Sequence, residues 1–239
     1  MIVSKIDQYP KEFFEQVLLE QGQTSGQKVL SYFEQHHTEF QYLGIYQEGL
    51  LGVLVYEEDT CFLRLLIVKS QERNKGYGTE LLQKFIELAE EQHFARIETN
   101  IPKDQLPFYE KNHFIIKNED DDSTYVTVEY LAGQQYLGKK VTVTIDHPMG
   151  SLHPTIADET YPCNYGYVYD GDIQEAWVVG VEEPLDTFTG IVIGIIYHLE
   201  TDTSRWIVGK PEMLIQPQKI IDLIGFDEQH YQTRIIWNK

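Results

Sequence analysis

Cysteine is almost absent from this sequence: Cys61 and Cys163 are the two in 239 residues. They lie far apart and belong to no CxxC pattern, which excludes a disulfide scaffold and a zinc cluster and leaves two buried small hydrophobes as the expectation. No stretch reaches the ~18 consecutive apolar residues that cross a bilayer, and the start MIVSKIDQYPKEFF lacks the cationic-then-apolar order of an export signal. The chain therefore reads as cytosolic. Cations are scarce as well, with 19 Lys and Arg against 38 Asp and Glu and a formal charge of -19. A field of that sign repels nucleic acid and anionic membranes, so neither is expected as a partner. An anionic ligand would have to be held by backbone N–H groups and a few placed cations. Low-complexity tracts and repeats of about 20 to 50 residues are missing too, so a folded core is expected throughout, in one large domain or two small ones.

Residues 10 to 37 carry two amphipathic helical patterns, one with Phe13, Phe14, Val17 and Leu18 and one with Val29, Leu30 and Phe33, separated by QGQTSG. The runs QYLGIY and LLGVLVY, joined at Gln47-Glu48-Gly49, predict a hairpin, and CFLRLLIV predicts a third strand. From Thr79 to Gln92 an apolar stripe of Leu81, Leu82, Phe85, Ile86 and Ala89 predicts a helix. ARIETNI, a short helix over 104–112, and the strands HFIIK and TYVTVEYL complete a mixed α/β domain over residues 1–131. The acidic run Glu119 to Asp122 reads as a solvated hairpin tip.

Residues 132–138 have no periodicity and read as a linker. The remainder, 139–239, changes character to short β-rich runs between Gly, Pro and Asp turns: KVTVTI, AWVVGV, IVIGIIYHL and RWIVG. Such spacing predicts a small barrel or sandwich, with IIDLIGFDEQHYQTRII as a terminal helix.

Two constellations carry chemistry. In the first, VKSQERNKGYGTELL sets Arg73-x-x-Gly76-x-Gly78 between a strand and a helix. Glycines let the backbone approach an anion, a helix N-terminus offers unpaired N–H donors, and Arg73 and Lys75 add local cations. Alone, the pattern is more often a glycine turn without a ligand. Some thirty residues on stands PFYEKNHF, with Tyr109 on a helix that runs into a strand. Together these segments resemble the Gcn5-related N-acetyltransferase (GNAT) family over residues 1–131. The resemblance implies an α+β fold with a mixed, mainly antiparallel sheet flanked by helices, and acetyl-CoA as cofactor. It further implies a pyrophosphate cradle over Arg73, Asn74, Lys75, Gly76, Tyr77, Gly78 and Thr79. Leu66, Ile67 and Val68 would pair with the pantetheine arm at a splayed strand pair, and Tyr109 would be the acid that protonates the departing thiolate. His113 departs from the family's glycine in YEKxGF, and Pro102 from a frequent asparagine. The strand CFLRLLIV offers no carboxylate as general base, and none is assigned. The acidic surface favours a cationic small-molecule or peptide amine, such as a polyamine, an aminoglycoside or a lysine-containing peptide, as acceptor.

In the second constellation, YPCNYGYVYDGDIQEAWVV resembles the core of family I soluble inorganic pyrophosphatases, YPxNYGY followed by DGDPxD. A compact pyrophosphatase-like family of about one hundred residues resembles the segment as a whole. The resemblance implies a small OB-like β-barrel with a terminal helix. It places Asp170, Asp172 and Glu175 at carboxylate positions that suit Mg²⁺, and Tyr161, Asn164, Tyr165, Arg205 and Tyr231 at what remains of a phosphate site. Glu175 replaces an Asp and Ile173 a Pro. Thr142, Thr144, His153, His198, Thr203 and Gln232 stand where the family holds charged groups. Hydrolysis of a pyrophosphate needs several cations, yet residues 136 to 239 contain seven Lys or Arg against fifteen Asp or Glu. His147, His153 and His198 are alternative metal or phosphate ligands, or simply packed histidines.

Three readings stand at this point. One is an N-acetyltransferase whose barrel binds a ligand, shapes acceptor access or joins two copies into a homodimer. Another is a metal-dependent phosphoanhydride hydrolase regulated by a CoA-binding domain. In the third, both domains are non-enzymatic binding modules.

Overall fold

The computed structural model describes residues 1–20, 23–92, 94–156, 158–170, 172–201 and 203–238. The chain divides into two units, 1–132 and 133–239.

The first unit is a seven-stranded sheet in the order β1-β2-β3-β4-β5-β7-β6. Its strands are β1 (Ile2–Ile6), β2 (Gln41–Tyr46), β3 (Leu50–Tyr56), β4 (Phe62–Val68), β5 (Arg96–Pro102), β6 (Ile115–Glu119) and β7 (Tyr125–Leu131). Every neighbour pair is antiparallel except β4 and β5. Those two are joined by a helical crossover, α3 (Tyr77–Glu91), which is the connection parallel strands require. Their ladder contains two residue pairs, Phe62 with Glu98 and Leu63 with Thr99, although each strand has seven residues. Beyond Leu63 the strands part, and the sheet opens toward their C-terminal ends. A mixed sheet of this kind, split at its one parallel pair and flanked by helices, is the arrangement expected of the first domain.

The predicted stripe of α3, Leu81, Leu82, Phe85, Ile86 and Ala89, is buried against one face of the sheet. At about 2 kcal/mol for each large side chain, that stripe contributes most of the helix's stability. The other face is covered by α1 (Lys11–Leu19) and α2 (Gln23–His36) through Phe13, Phe14, Val17, Leu18, Leu30 and Phe33. The expected separator QGQTSG is shorter than it reads: from Gln23 onward it belongs to α2. Gly26 is needed there, because a Cβ would lie 2.2 Å from the Leu18 carbonyl oxygen. The edge strand β1 was missed because its side chains are mostly exposed and lack the apolar alternation of a half-buried strand.

The second unit is a six-stranded sheet, β12-β10-β9-β8-β11-β13, with an added β11–β12 pairing that closes five strands into a barrel. The strands are β8 (Lys140–His147), β9 (Asn164–Asp170), β10 (Asp172–Val178), β11 (Thr187–His198), β12 (Thr203–Gly209) and β13 (Thr233–Trp237). Helix α5 (Pro217–Glu228) packs Ile220 and Ile224 into a core with Tyr161, Tyr165, Trp177, Ile193, Ile196 and Ile207. Two expectations need correction. The terminal helix ends at Glu228, and the β-branched TRIIW continues as β13 on the edge of β11. Residues 133–138, read as a linker, fold onto the barrel, where the Tyr136 ring lies 4.7 Å from Trp206. Both cysteines are buried free thiols, and burial pushes each up to about 12.

Candidate functional site

The gap between β4 and β5 is one end of a cleft of about 620 Å³ in the first unit. Its walls are Leu66, Ile67 and Val68 of β4, the turn from Glu72 to Thr79, and residues 104 to 111 around α4 (Leu106–Lys111). Leu66, Ile67, Val68, Arg73, Asn74, Gly76, Tyr77, Gly78, Thr79 and Tyr109 are thus brought together as the sequence motifs suggest. Lys75 is the exception. Its ammonium pairs with Glu72 at 2.9 Å, and it does not line the cleft.

The turn is built to leave donors unpaired. Asn74 and Gly76 both take left-handed backbone, φ 62° and 92°, so the chain reverses sharply into α3. The helical ladder begins with Glu80 N–H on the Gly76 carbonyl at 3.0 Å. Among the described residues no backbone acceptor takes the N–H groups of residues 74–79. Together with the positive end of α3, they form a cradle for an oxyanion. A Cβ added at Gly78 would come 3.4 Å from the Phe108 ring and 3.9 Å from Val68 Cγ2, which is ordinary contact. The fold therefore does not require glycine at 78; its bare backbone keeps the cleft open. Arg73 Nε donates to the Val68 carbonyl at 3.2 Å, fixing the turn to the end of β4 and leaving the rest of the guanidinium on the wall. Tyr77 Oη donates to Gln47 Oε1 at 3.1 Å, which ties the same turn to the β2–β3 hairpin.

Tyr109 stands on the opposite wall with 3% exposure. Edge contacts to Phe108 at 5.2 Å and Phe114 at 5.3 Å lock its ring, and burial raises its pKa well above the ordinary phenol value. It is thus a fixed, protonated phenol in a partly dry cleft. His113 has φ 67°, a left-handed conformation that glycine adopts without cost.

In the second unit the residues of the other motif are held in a hydrogen-bonded and ion-paired network. Arg205 is enclosed by carboxylates: Nε donates to Glu175 Oε2 at 2.9 Å, and Nη1 to Asp227 Oδ2 at 2.7 Å and Glu228 Oε1 at 3.0 Å. The rings of Tyr165 and Tyr231 flank it at 5.6 and 5.4 Å. Its pKa is raised; burial alone would lower it, and the surrounding anionic groups overcome that. Glu228 also accepts from Trp177 Nε1 at 2.8 Å and meets His198 Nε2 at 2.8 Å, while the His198 ring stacks on Tyr231 at 4.3 Å. Burial favours protonation of Glu175, but hydrogen bonds from Tyr165 and Arg205 hold its carboxyl below the usual range. Arg205 is thus held by three carboxylates, and Glu175 gives one carboxylate oxygen to it.

Asn164 is fully buried. Its Oδ1 accepts the N–H groups of Met149 and Leu185, both at 3.0 Å, and its Nδ2 donates to the Glu183 carbonyl at 2.9 Å. It clips two loops together. Tyr161 stacks on His147 at 4.7 Å and His153 at 5.1 Å, and His153 Nδ1 accepts the N–H of Ile156 at 3.0 Å, so both histidines are packed rather than convergent on an ion. Asp170 and Asp172 pair in register across the β9–β10 turn, and their side chains lie outside the described residues. Among the described residues no group of three His, Cys, Asp or Glu is placed to hold a metal. Lys111, Asp227 and Glu228 were missed by sequence reasoning. The two acids had a signal, since carboxylates in the last turn of a helix oppose its dipole and call for a cation.

A family model described as the acetyltransferase (GNAT) family matches residues 6–114. Streptothricin acetyltransferase A of Bacillus subtilis (strain 168) is 38% identical over 87 residues, which cover 29% of this chain and 50% of that protein. The chain thus spans about half the length of this curated relative. Among solved structures, an aminoglycoside 6'-N-acetyltransferase complexed with coenzyme A is similar at 15% identity and a TM-score of 0.46, covering 55% of this chain and 97% of its own. A GNAT family acetyltransferase from Elizabethkingia anophelis with acetyl-CoA bound is similar at 15% identity and a TM-score of 0.41, covering 54% and 97%. Residues 6–114, within the first unit, are thus similar to the acetyltransferase (GNAT) family.

Proposed function

We propose that this protein moves an acetyl group from acetyl-CoA to a cationic amine, and that its second unit is a pyrophosphatase-like barrel in an accessory role. One observation carries the first part: a single cleft joins the split between β4 and β5, the unpaired N–H groups of the α3 turn and the buried Tyr109. Residues 74 and 76–79 would hold the phosphate end of the donor through their backbone N–H groups, and Leu66 to Val68 would flank its pantetheine arm. Bound there, acetyl-CoA would supply an activated acetyl thioester with a thiolate leaving group. Tyr109 Oη would hold the proton that this thiolate needs. Burial keeps the Tyr109 phenol protonated, so the proton is in place when the thiolate departs. A cationic acceptor is favoured by the surface of residues 1–132, which carry twelve Lys or Arg against twenty-three Asp or Glu. Streptothricin, named in the curated relative, is a first acceptor to assay.

The hydrolase reading finds no support in the barrel. The cation at its centre is already neutralised, and a pyrophosphate would meet three carboxylates around one arginine. An accessory role for the barrel agrees better with that cluster.

The test is a panel of amines with acetyl-CoA, followed by thiol release, on wild type and Tyr109→Phe. Transfer to at least one amine is expected, with kcat lowered about 100-fold or more by the substitution and KM for acetyl-CoA little changed. A rate that Tyr109→Phe leaves intact would remove the acid role; no transfer by wild type would remove the function.

A further inference from the structure

The cleft has to attract a polyanionic donor on a chain of net charge -19, so each cation on its walls matters. Sequence reasoning assigns that task to Arg73 and Lys75. In the structure Lys75 does not line the cleft and its ammonium pairs with Glu72, which does, and Arg73 commits its Nε to the Val68 carbonyl. The opposite wall holds one further cation, Lys111, in the last turn of α4 and two residues after Tyr109. Its side chain is exposed, lines the cleft, and has neither an ion pair nor a hydrogen bond among the described residues. Asp104 shares the wall without pairing with it, so the wall carries both a cation and an anion with no internal bridge to cancel them.

We propose that Lys111 is a binding residue for the phosphate charge of the donor, acting from the α4 wall opposite the N–H cradle. The inference rests on the acetyl-CoA reading above and adds a specific residue to it. An ammonium is a compact point charge with three donors, suited to a terminal or bridging phosphate that the one-sided cradle cannot enclose. Its place beside Tyr109 has a consequence for the reaction. A charge that clamps the donor at α4 also sets how far the donor slides past the acid, so its loss should be felt in donor affinity before it is felt in turnover.

The test is calorimetric titration of coenzyme A into wild type, Lys111→Ala, Lys111→Arg and Lys84→Ala at low and at physiological salt, with melting curves to verify folding. Lys84 carries the same charge on the α3 surface and does not line the cleft. Lys111→Ala is expected to weaken binding about tenfold at low salt and to flatten its salt dependence, while Lys111→Arg stays near wild type and Lys84→Ala does not change. Repeating the titration with 3'-dephospho-coenzyme A identifies the partner. A loss that persists assigns Lys111 to the pyrophosphate, and one that vanishes assigns it to the 3'-phosphate. Equal affinity and salt dependence in wild type and Lys111→Ala would overturn the inference while leaving the acetyl-CoA reading in place. Absence of binding by wild type would overturn that reading, and this inference with it.

Discussion

His113 shows how a departure from a family pattern can be read physically. The resemblance expects glycine at this place, and the structure gives the reason: the residue that follows the C-cap of α4 has φ 67°, where a β-carbon costs about 1 kcal/mol. The histidine is exposed, so replacing it removes no packing. His113→Gly is expected to stabilise the first unit by up to about 1 kcal/mol, seen as a higher denaturant midpoint in far-ultraviolet dichroism; an unchanged or lower midpoint contradicts the strain argument. At this scale the sequence was legible where backbone chemistry dictates the residue, as at Gly76 and the turn around it. It was less legible for side chains whose partners come from distant elements. Asn164 and Arg205 stand at positions that the family pattern marks. Asn164 spends its amide on Met149, Glu183 and Leu185, and Arg205 is held by Glu175, Asp227 and Glu228. Pattern gives the residue but not the partner.

Among elements, α5 depends on a distant side chain. Its last two residues, Asp227 and Glu228, place negative charge at the negative end of the helix dipole, and both are buried. Arg205 on β12 offsets that arrangement and fastens the helix to the barrel. Arg205→Ala leaves buried carboxylates without a cation and is expected to destabilise the second unit by about 3 to 5 kcal/mol at neutral pH. All three tryptophans, Trp177, Trp206 and Trp237, belong to that unit, so their fluorescence reports its unfolding separately. The effect should shrink in acid. The folded pKa of Glu175 is depressed, so its contribution is present above the unfolded value near 4.5 and is lost as pH falls through the folded value. A cost that does not change between pH 7 and pH 3.5 would contradict the ion-pair account. Element types were legible where the apolar period was strong, as in α3. The helix expected through Ile236 failed because IIDLIGF and TRIIW are both apolar and β-branched, and periodicity alone does not separate a buried helix from an adjoining strand.

For the molecule as a whole, the acidic surface and the anionic donor pull in opposite directions, and the account holds only if local geometry outweighs the global field. The split sheet, the left-handed turn and the unpaired N–H groups are that geometry, and Gly78 is the place to block it. Added β-carbons there meet Phe108 and Val68 at ordinary contact distance, so Gly78→Val should fold while its larger side chain fills the mouth of the cradle. The most direct measurement is the heat of titrating coenzyme A into the full chain at low salt, for wild type and Gly78→Val, with both shown to melt alike. The account predicts saturable one-to-one binding by wild type and loss of that binding in the variant. Wild type without affinity, or a folded variant that binds as tightly, would contradict it.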